Sequence, residues 1–267
     1  MRKTTWAVAT AGAGMTLALT AAPALADNHE SMVSVLHGVP GLTVDVYVNG
    51  EETLPDFEPG TLTDPLTLAA GAYDIEIYAD GSDPETDDPA LSAEGLEVPG
   101  GANLTLMAHL DADGAPMLSA FVNDTSTVAA GEARLTVRHT AAAPAVDVRA
   151  GGSPVIEGLE NPDEASLDTA AGTVSADVVL AGTEDVVLGP ADLTLAEGTS
   201  TIVYAWGSAE EGTLDLAVQT IEGLHGTPDG VPTGEAGGTQ AWMWMLAAAG
   251  AAGVVVAGRR VMATEVR

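Results

Sequence analysis

The stretch LTVDVYVNG, Leu42 to Gly50, decides the fold. Leu42, Val44, Val46 and Val48 alternate with Thr43, Asp45 and Tyr47, so a strand of period two puts four apolar side chains on one face. Asn49-Gly50 follows at once, a dipeptide that tolerates the positive φ angles of a tight hairpin turn. The window then recurs. HGVPGLTVDVYVNG begins at His37 and HTAAAPAVDVRAGG at His139, so His37, Val44, Asp45, Val46 and Gly50 each have a counterpart 102 positions on. Farther along, VPGGANLTLMAH (Val98 to His109) parallels LAEGTSTIVYAW (Leu195 to Trp206) at an offset of 97. Repetition at this scale means tandem domains, because solenoid units are shorter.

Other segments read the same way. AYDIEIYA sets Tyr73, Ile75 and Ile77 against Asp74, Glu76 and Tyr78, while NLTLMAHL and MLSAFV follow turn-rich stretches. Seven or eight short strands per copy, each with one polar face, predict an all-β fold of two tandem immunoglobulin-like β-sandwich domains. A small barrel is the competing layout. The boundaries fall at 31–124 for the first sandwich, 125–133 for a linker and 134–223 for the second. No segment between 27 and 240 offers a long amphipathic helix.

The two ends have another character. Arg2 and Lys3 precede an apolar run and the small-residue pattern Ala24-Leu25-Ala26, which predicts a signal peptide over 1–26, removed on export. AWMWMLAAAGAAGVVVAG, 241–258, is followed by Arg259 and Arg260; its 18 residues would reach about 27 Å as a helix, enough to cross a hydrocarbon core. Trp242 and Trp244 suit one headgroup region and the arginines the cytoplasmic side. The expectation is a single-pass cell-membrane protein with an extracellular N-terminal part, a Gly/Pro/Thr-rich stalk over 224–240 and a cytoplasmic tail over 259–267. VPTGE, Val231 to Glu235, approaches a sortase sorting signal but lacks a residue between Pro232 and Thr233.

Charge narrows the partners. Between 27 and 240 three arginines face 38 acidic residues, a net −35, and there is no Lys. Nucleic acid and anionic headgroups are excluded as partners for that part, since phosphate contacts need cations. The chain has no Cys, which removes disulfides, thiol catalysis and Cys-ligated metals, so each domain must be held by apolar burial.

Few residue sets point to chemistry. His37 and Asp45 recur as His139 and Asp147, eight residues apart, and are expected to hydrogen-bond as a structural pair; no G-x-S-x-G turn marks a nucleophile to complete a triad. Asp80, Asp83, Glu85, Asp87 and Asp88 crowd one loop with hard oxygen ligands of the kind Ca²⁺ accepts, without the EF-hand order. Asp111 and Asp113 read as turn residues, and His29, His109 and His225 form no metal spacing. Tyr47, Tyr73 and Tyr78 are strand residues that an aromatic sugar-binding patch would also use.

The run of His, small residues, Pro and VDVYVNG or VDVRAGG resembles the domain-of-unknown-function family 4397 in both copies, with Arg149 and Ala150 replacing the usual aromatic and β-branched pair in the second. The resemblance implies a β-sandwich on a cell surface and carries over no catalytic residue. The expected function is therefore a non-enzymatic surface protein presenting two modules to the envelope or a protein partner. A binding module for divalent cations or glycans is the alternative.

Overall fold

The computed structural model describes residues 30–226. The expected signal peptide, most of the stalk, the apolar run 241–258 and the tail lie outside the described residues. No helix occurs among those described.

Sixteen strands form four four-stranded sheets in two groups. The first group contains β1 (Ser31–His37), β2 (Val44–Val48), β3 (Glu51–Phe57), β4 (Leu66–Leu68), β5 (Gly71–Ala79), β6 (Leu91–Val98), β7 (Asn103–Leu110) and β8 (Pro116–Val122). The second contains β9 (Glu132–Ala142), β10 (Val146–Ala150), β11 (Ser153–Leu159), β12 (Glu164–Ala170), β13 (Gly172–Leu180), β14 (Val186–Leu195), β15 (Ser200–Ser208) and β16 (Asp215–Ile221). The strand orders correspond. β4-β1-β7-β8 and β3-β2-β5-β6 in the first group match β12-β9-β15-β16 and β11-β10-β13-β14 in the second.

Within each group the two sheets face each other across an apolar core. Val44, Val46, Ile75 and Ile77 from one sheet meet Ala108 from the other, and Val33, Leu104 and Leu106 continue that layer against Val98. The second core joins Leu135, Val137 and Val203 to Val146, Val148 and Val178. The architecture is thus sandwich-like, as the alternation predicts, with its own strand order. Eight strands are split four and four, and the pairs β1–β7 and β9–β15 are parallel. The seven-stranded immunoglobulin plan instead places its first, second, fifth and fourth strands in one sheet.

The hairpin dipeptide behaves as expected. Asn49 and Gly50 have φ of 52° and 78°, and Gly151 and Gly152 repeat the turn at 57° and 80°. Such a pair of positive φ angles matches the right-handed twist of the flanking strands.

One expectation needs correction. A polar outer face on every strand does not hold for β1, β7, β9 and β15, whose residues are nearly all buried on both sides. The reason is that the two groups pack on each other. Leu36, Met107 and Phe121 from the first group meet Ile202, Tyr204, Trp206, Ala217 and Ile221 from the second in one apolar cluster. The outer face of one sheet therefore becomes the seat of the other. Leu224 and His225, placed by composition at the head of the stalk, also belong to the fold: Leu224 is buried, its carbonyl accepts from the Val128 N–H, and its own N–H donates to Gly198.

Candidate functional site

The repeated motif proves to be two separate devices. His37 and Asp45 do not meet, and neither do His139 and Asp147. His37 lies on the inner face of β1, stacked near Phe57 at 5.9 Å between ring centres, and its Nε2 donates to the Leu42 carbonyl at 2.7 Å. His139 repeats this with the Pro144 carbonyl at 3.0 Å. In both copies Nδ1 accepts a long contact from the N–H two residues on, at 3.5 and 3.4 Å. Each imidazole thus holds the strand-to-loop turn at its own strand end. Burial pushes the pKa of His37 and of His139 below the ordinary histidine value.

The aspartates serve the opposite sheet. Asp45 Oδ1 accepts from the Asp56 N–H at 2.8 Å, and Asp147 Oδ1 from the Gly158 N–H at 2.7 Å. Asp147 also accepts from the Gly182 N–H at 2.8 Å. These two backbone donors hold the Asp147 carboxyl below the usual carboxylate range. Parity explains the separation. His37 precedes a six-residue loop before β2, so its strand face says nothing about the face of Asp45.

The acidic loop divides. Asp83 and Asp87 close a turn on themselves: the Asp83 N–H donates to Asp87 Oδ2 at 2.9 Å, and the Glu85 N–H to Asp83 Oδ1 at 3.0 Å. Glu85 and Asp88 are exposed beside it. Asp80 leaves this group and joins Asp45 and Asp56, one carboxylate oxygen from each lying within 4.8 Å of the others. That span is about twice a Ca²⁺–oxygen distance, so three such oxygens can surround one divalent ion. Asp56 and Gly158 occupy equivalent positions, with φ of 50° and 66°. The ladders make Ala181 of the second sandwich the equivalent of Asp80, so that sandwich keeps only Asp147 of the three carboxylates. Sequence reading missed Asp45 and Asp56 as partners of Asp80 because they come from different strands. The signal was a non-Gly residue where the second copy has Gly.

The tyrosines do not make an open platform. Tyr73 faces the core with its hydroxyl donating to the Ala69 carbonyl, and Tyr78 is only 4% exposed under the edge of Tyr47 at 5.4 Å.

The most elaborate polar constellation is one the sequence did not single out. Arg138 on β9 is 1% exposed and sits in the seam between the two groups. Its guanidinium donates to Glu164 Oε2 at 2.6 Å, Asn123 Oδ1 at 2.9 Å and the Tyr204 hydroxyl at 2.7 Å. It also lies over the rings of Phe121 and Tyr204, at 4.5 and 5.2 Å from their centres. The Tyr204 hydroxyl in turn donates to Gln219 Oε1 at 2.7 Å, which also accepts from Thr105 at 2.9 Å, while Gln219 Nε2 donates to Ser34 at 3.3 Å. This network satisfies a buried charge that would otherwise cost several kcal/mol. Nearby, His109 is fully buried, with Nδ1 donating to the Leu110 carbonyl at 2.8 Å and Nε2 accepting from Ser119 at 2.9 Å. Burial lowers its pKa as well. Ser119, half-buried on β8, fixes the second nitrogen of the ring.

All three arginines of the described residues are paired. Arg134 meets Asp124 and Asp168, Arg138 meets Glu164, and Arg149 holds Asp177 and Glu184.

Residues 31–149 match, in one copy, the family described as a domain of unknown function, DUF4397. The match spans the first group and the first two strands of the second. No curated protein is significantly similar to the chain.

Proposed function

We propose that the chain is exported and retained on a cell surface through residues 241–258, and that its fused sandwiches, immunoglobulin-like in their two facing sheets, form a non-enzymatic module for structural or adhesive contact. The observation that carries this reading is the seam. Two modules joined only by residues 123–131 would swing, whereas the Arg138 network and the Leu36–Met107–Trp206 cluster favour one stiff body. Stiffness suits a spacer or a platform. Among the described residues, the imidazoles of His37, His109 and His139 are engaged in turn and seam contacts, and His225 is exposed beside Gly198. The net −35 favours partners that are neutral, cationic or bridged by cations. Cell fractionation with external protease digestion tests the placement; full-length protein recovered from cytosol overturns it. Turnover of a glycoside, ester or peptide by the purified chain overturns the non-enzymatic half.

A second reading rests on the Asp45–Asp56–Asp80 cluster: the first sandwich takes up a divalent cation there. Calorimetric titration of the full chain with Ca²⁺ tests it against D56G/D80A, which copies the second sandwich. Saturable heat lost in the variant supports the reading, and no saturable heat in the parent removes it.

A further inference from the structure

The two sandwiches differ at one edge. In the first, the edge strands β6 and β8 touch, and the cavity among the core residues is smaller, about 100 Å³. Their counterparts β14 and β16 approach each other less closely, and β14 is irregular there. Ala176 pairs with Ala191 and Val178 with Leu188, so Gly189 and Pro190 of β14 oppose the single residue Asp177. That is a bulge, placed where a proline has no N–H to give the ladder. Gly189 has φ of 92° and presses on the Ala176 carbonyl, where a Cβ would lie only 3.0 Å away. Beside this bulge lies a cleft of about 220 Å³ between the sheets.

The cleft is almost wholly apolar. Val137, Val148 and Val203 form part of its floor, and Leu188, Leu193 and Val218 line its outer part. Val218 is 49% exposed, so the space opens to solvent. A cavity of roughly 150 Å³ with such a lining stays dry and admits a benzene-sized guest, so this one has room for a short alkyl chain or a single ring. The two titratable residues of the lining, Asp177 and Asp192, are both acidic, and the nearby cation, Arg149, is already committed to Asp177 and Glu184.

Going beyond the surface role above, we propose that the cleft between β14 and β16 binds a small cationic amphiphile, with its alkyl or ring end among Val203, Leu188 and Val218 and its ammonium head at the acidic rim. Charge selects the class. A carboxylate-headed chain of the same length meets Asp192 and an overall acidic surface, with no free arginine among the described residues to receive it.

The test is methyl NMR of the full chain in phosphatidylcholine nanodiscs, titrated with n-pentylammonium. The expected result is saturable shifts at Leu188, Leu193, Val203 and Val218, absent with ammonium ion alone and several-fold weaker with pentanoate. Ala205→Leu fills the cleft floor and should abolish the shifts. Should that variant fail to fold, Val218→Trp at the exposed mouth serves the same purpose. Absent shifts, an equal response to pentanoate, or an undiminished response in a folded filled variant overturns the proposal.

Discussion

The Arg138 guanidinium lies 4.5 Å from the centre of the Phe121 ring, across the seam between the two sandwiches. The two residues come from different repeats, and the equivalent of Arg138 in the first repeat is Leu36, which packs on the same seam. The seam is therefore built from unlike faces, one mainly aliphatic and aromatic, the other carrying a forked cation. Arg138→Ala should destabilise the protein by about 2–4 kcal/mol, because it removes the cation–π contact and strands Asn123 and Tyr204 in a dry site. Arg138→Lys should recover less than half of that, since an ammonium cannot stack flat or serve three acceptors in one plane. Urea midpoints of the three proteins measure the effect, and full recovery by Lys contradicts the stacked geometry.

Acid should weaken the fold before ordinary carboxylates titrate. His37, His109 and His139 are buried with pKa values lowered from 6.5, so the unfolded chain binds protons that the folded chain refuses. Stability is full above about pH 6.5 and falls as pH drops from there toward the lowered values. Thermal midpoints measured from pH 8 to 5.5 should be flat and then decline, with a shallower decline in His109→Gln. A midpoint rising steadily from pH 7 to 5.5 rules out the neutral, buried imidazoles.

Legibility followed what each feature depends on. The alternation of Val44, Val46 and Val48 and the turn at Asn49-Gly50 are local, and both appear in the fold as read. The seam is not local. Arg134, Thr136 and Arg138 alternate as a solvent face does, and Arg138 is buried because Phe121 and Asn123 of the first sandwich pack over it beside Tyr204 of the neighbouring strand. A hint was available in STIVYAW, Ser200 to Trp206, whose nearly unbroken apolar run reads as a strand covered on both faces. The His–Asp spacing misled because strand parity does not carry across the loop from Gly38 to Thr43. The Asp45–Asp56–Asp80 cluster stayed hidden because the crowded run 83–88 drew attention to a turn that closes on itself.

Asp56 is a non-glycine residue at φ 50°, crowded by two other carboxylates. Asp56→Gly should raise stability in the absence of divalent ions by about 0.5–1 kcal/mol. Relief of the left-handed conformation and of like-charge repulsion outweighs the added freedom of the unfolded chain. Gly158 at the equivalent position of the second sandwich shows that the turn accepts glycine. Thermal unfolding in chelator measures it, and a lower midpoint for the variant contradicts strain at this position.

A seam this closely packed makes the two sandwiches one cooperative unit. Met107 is fully buried and lies in the shared cluster with Leu36 and Tyr204 rather than in either core. Met107→Ala removes apolar contact from the seam and leaves a cavity, at a cost of about 2–4 kcal/mol, and the loss falls on the coupling between modules. Calorimetry of the parent should therefore show a single transition whose calorimetric and van't Hoff enthalpies agree. Met107→Ala combined with Arg138→Ala should split it into two, whereas Val33→Ala, which hollows the first core alone, should lower the midpoint without splitting. Two transitions in the parent would mean that the sheets touch without sharing stability, and the rigid-platform reading would go with them.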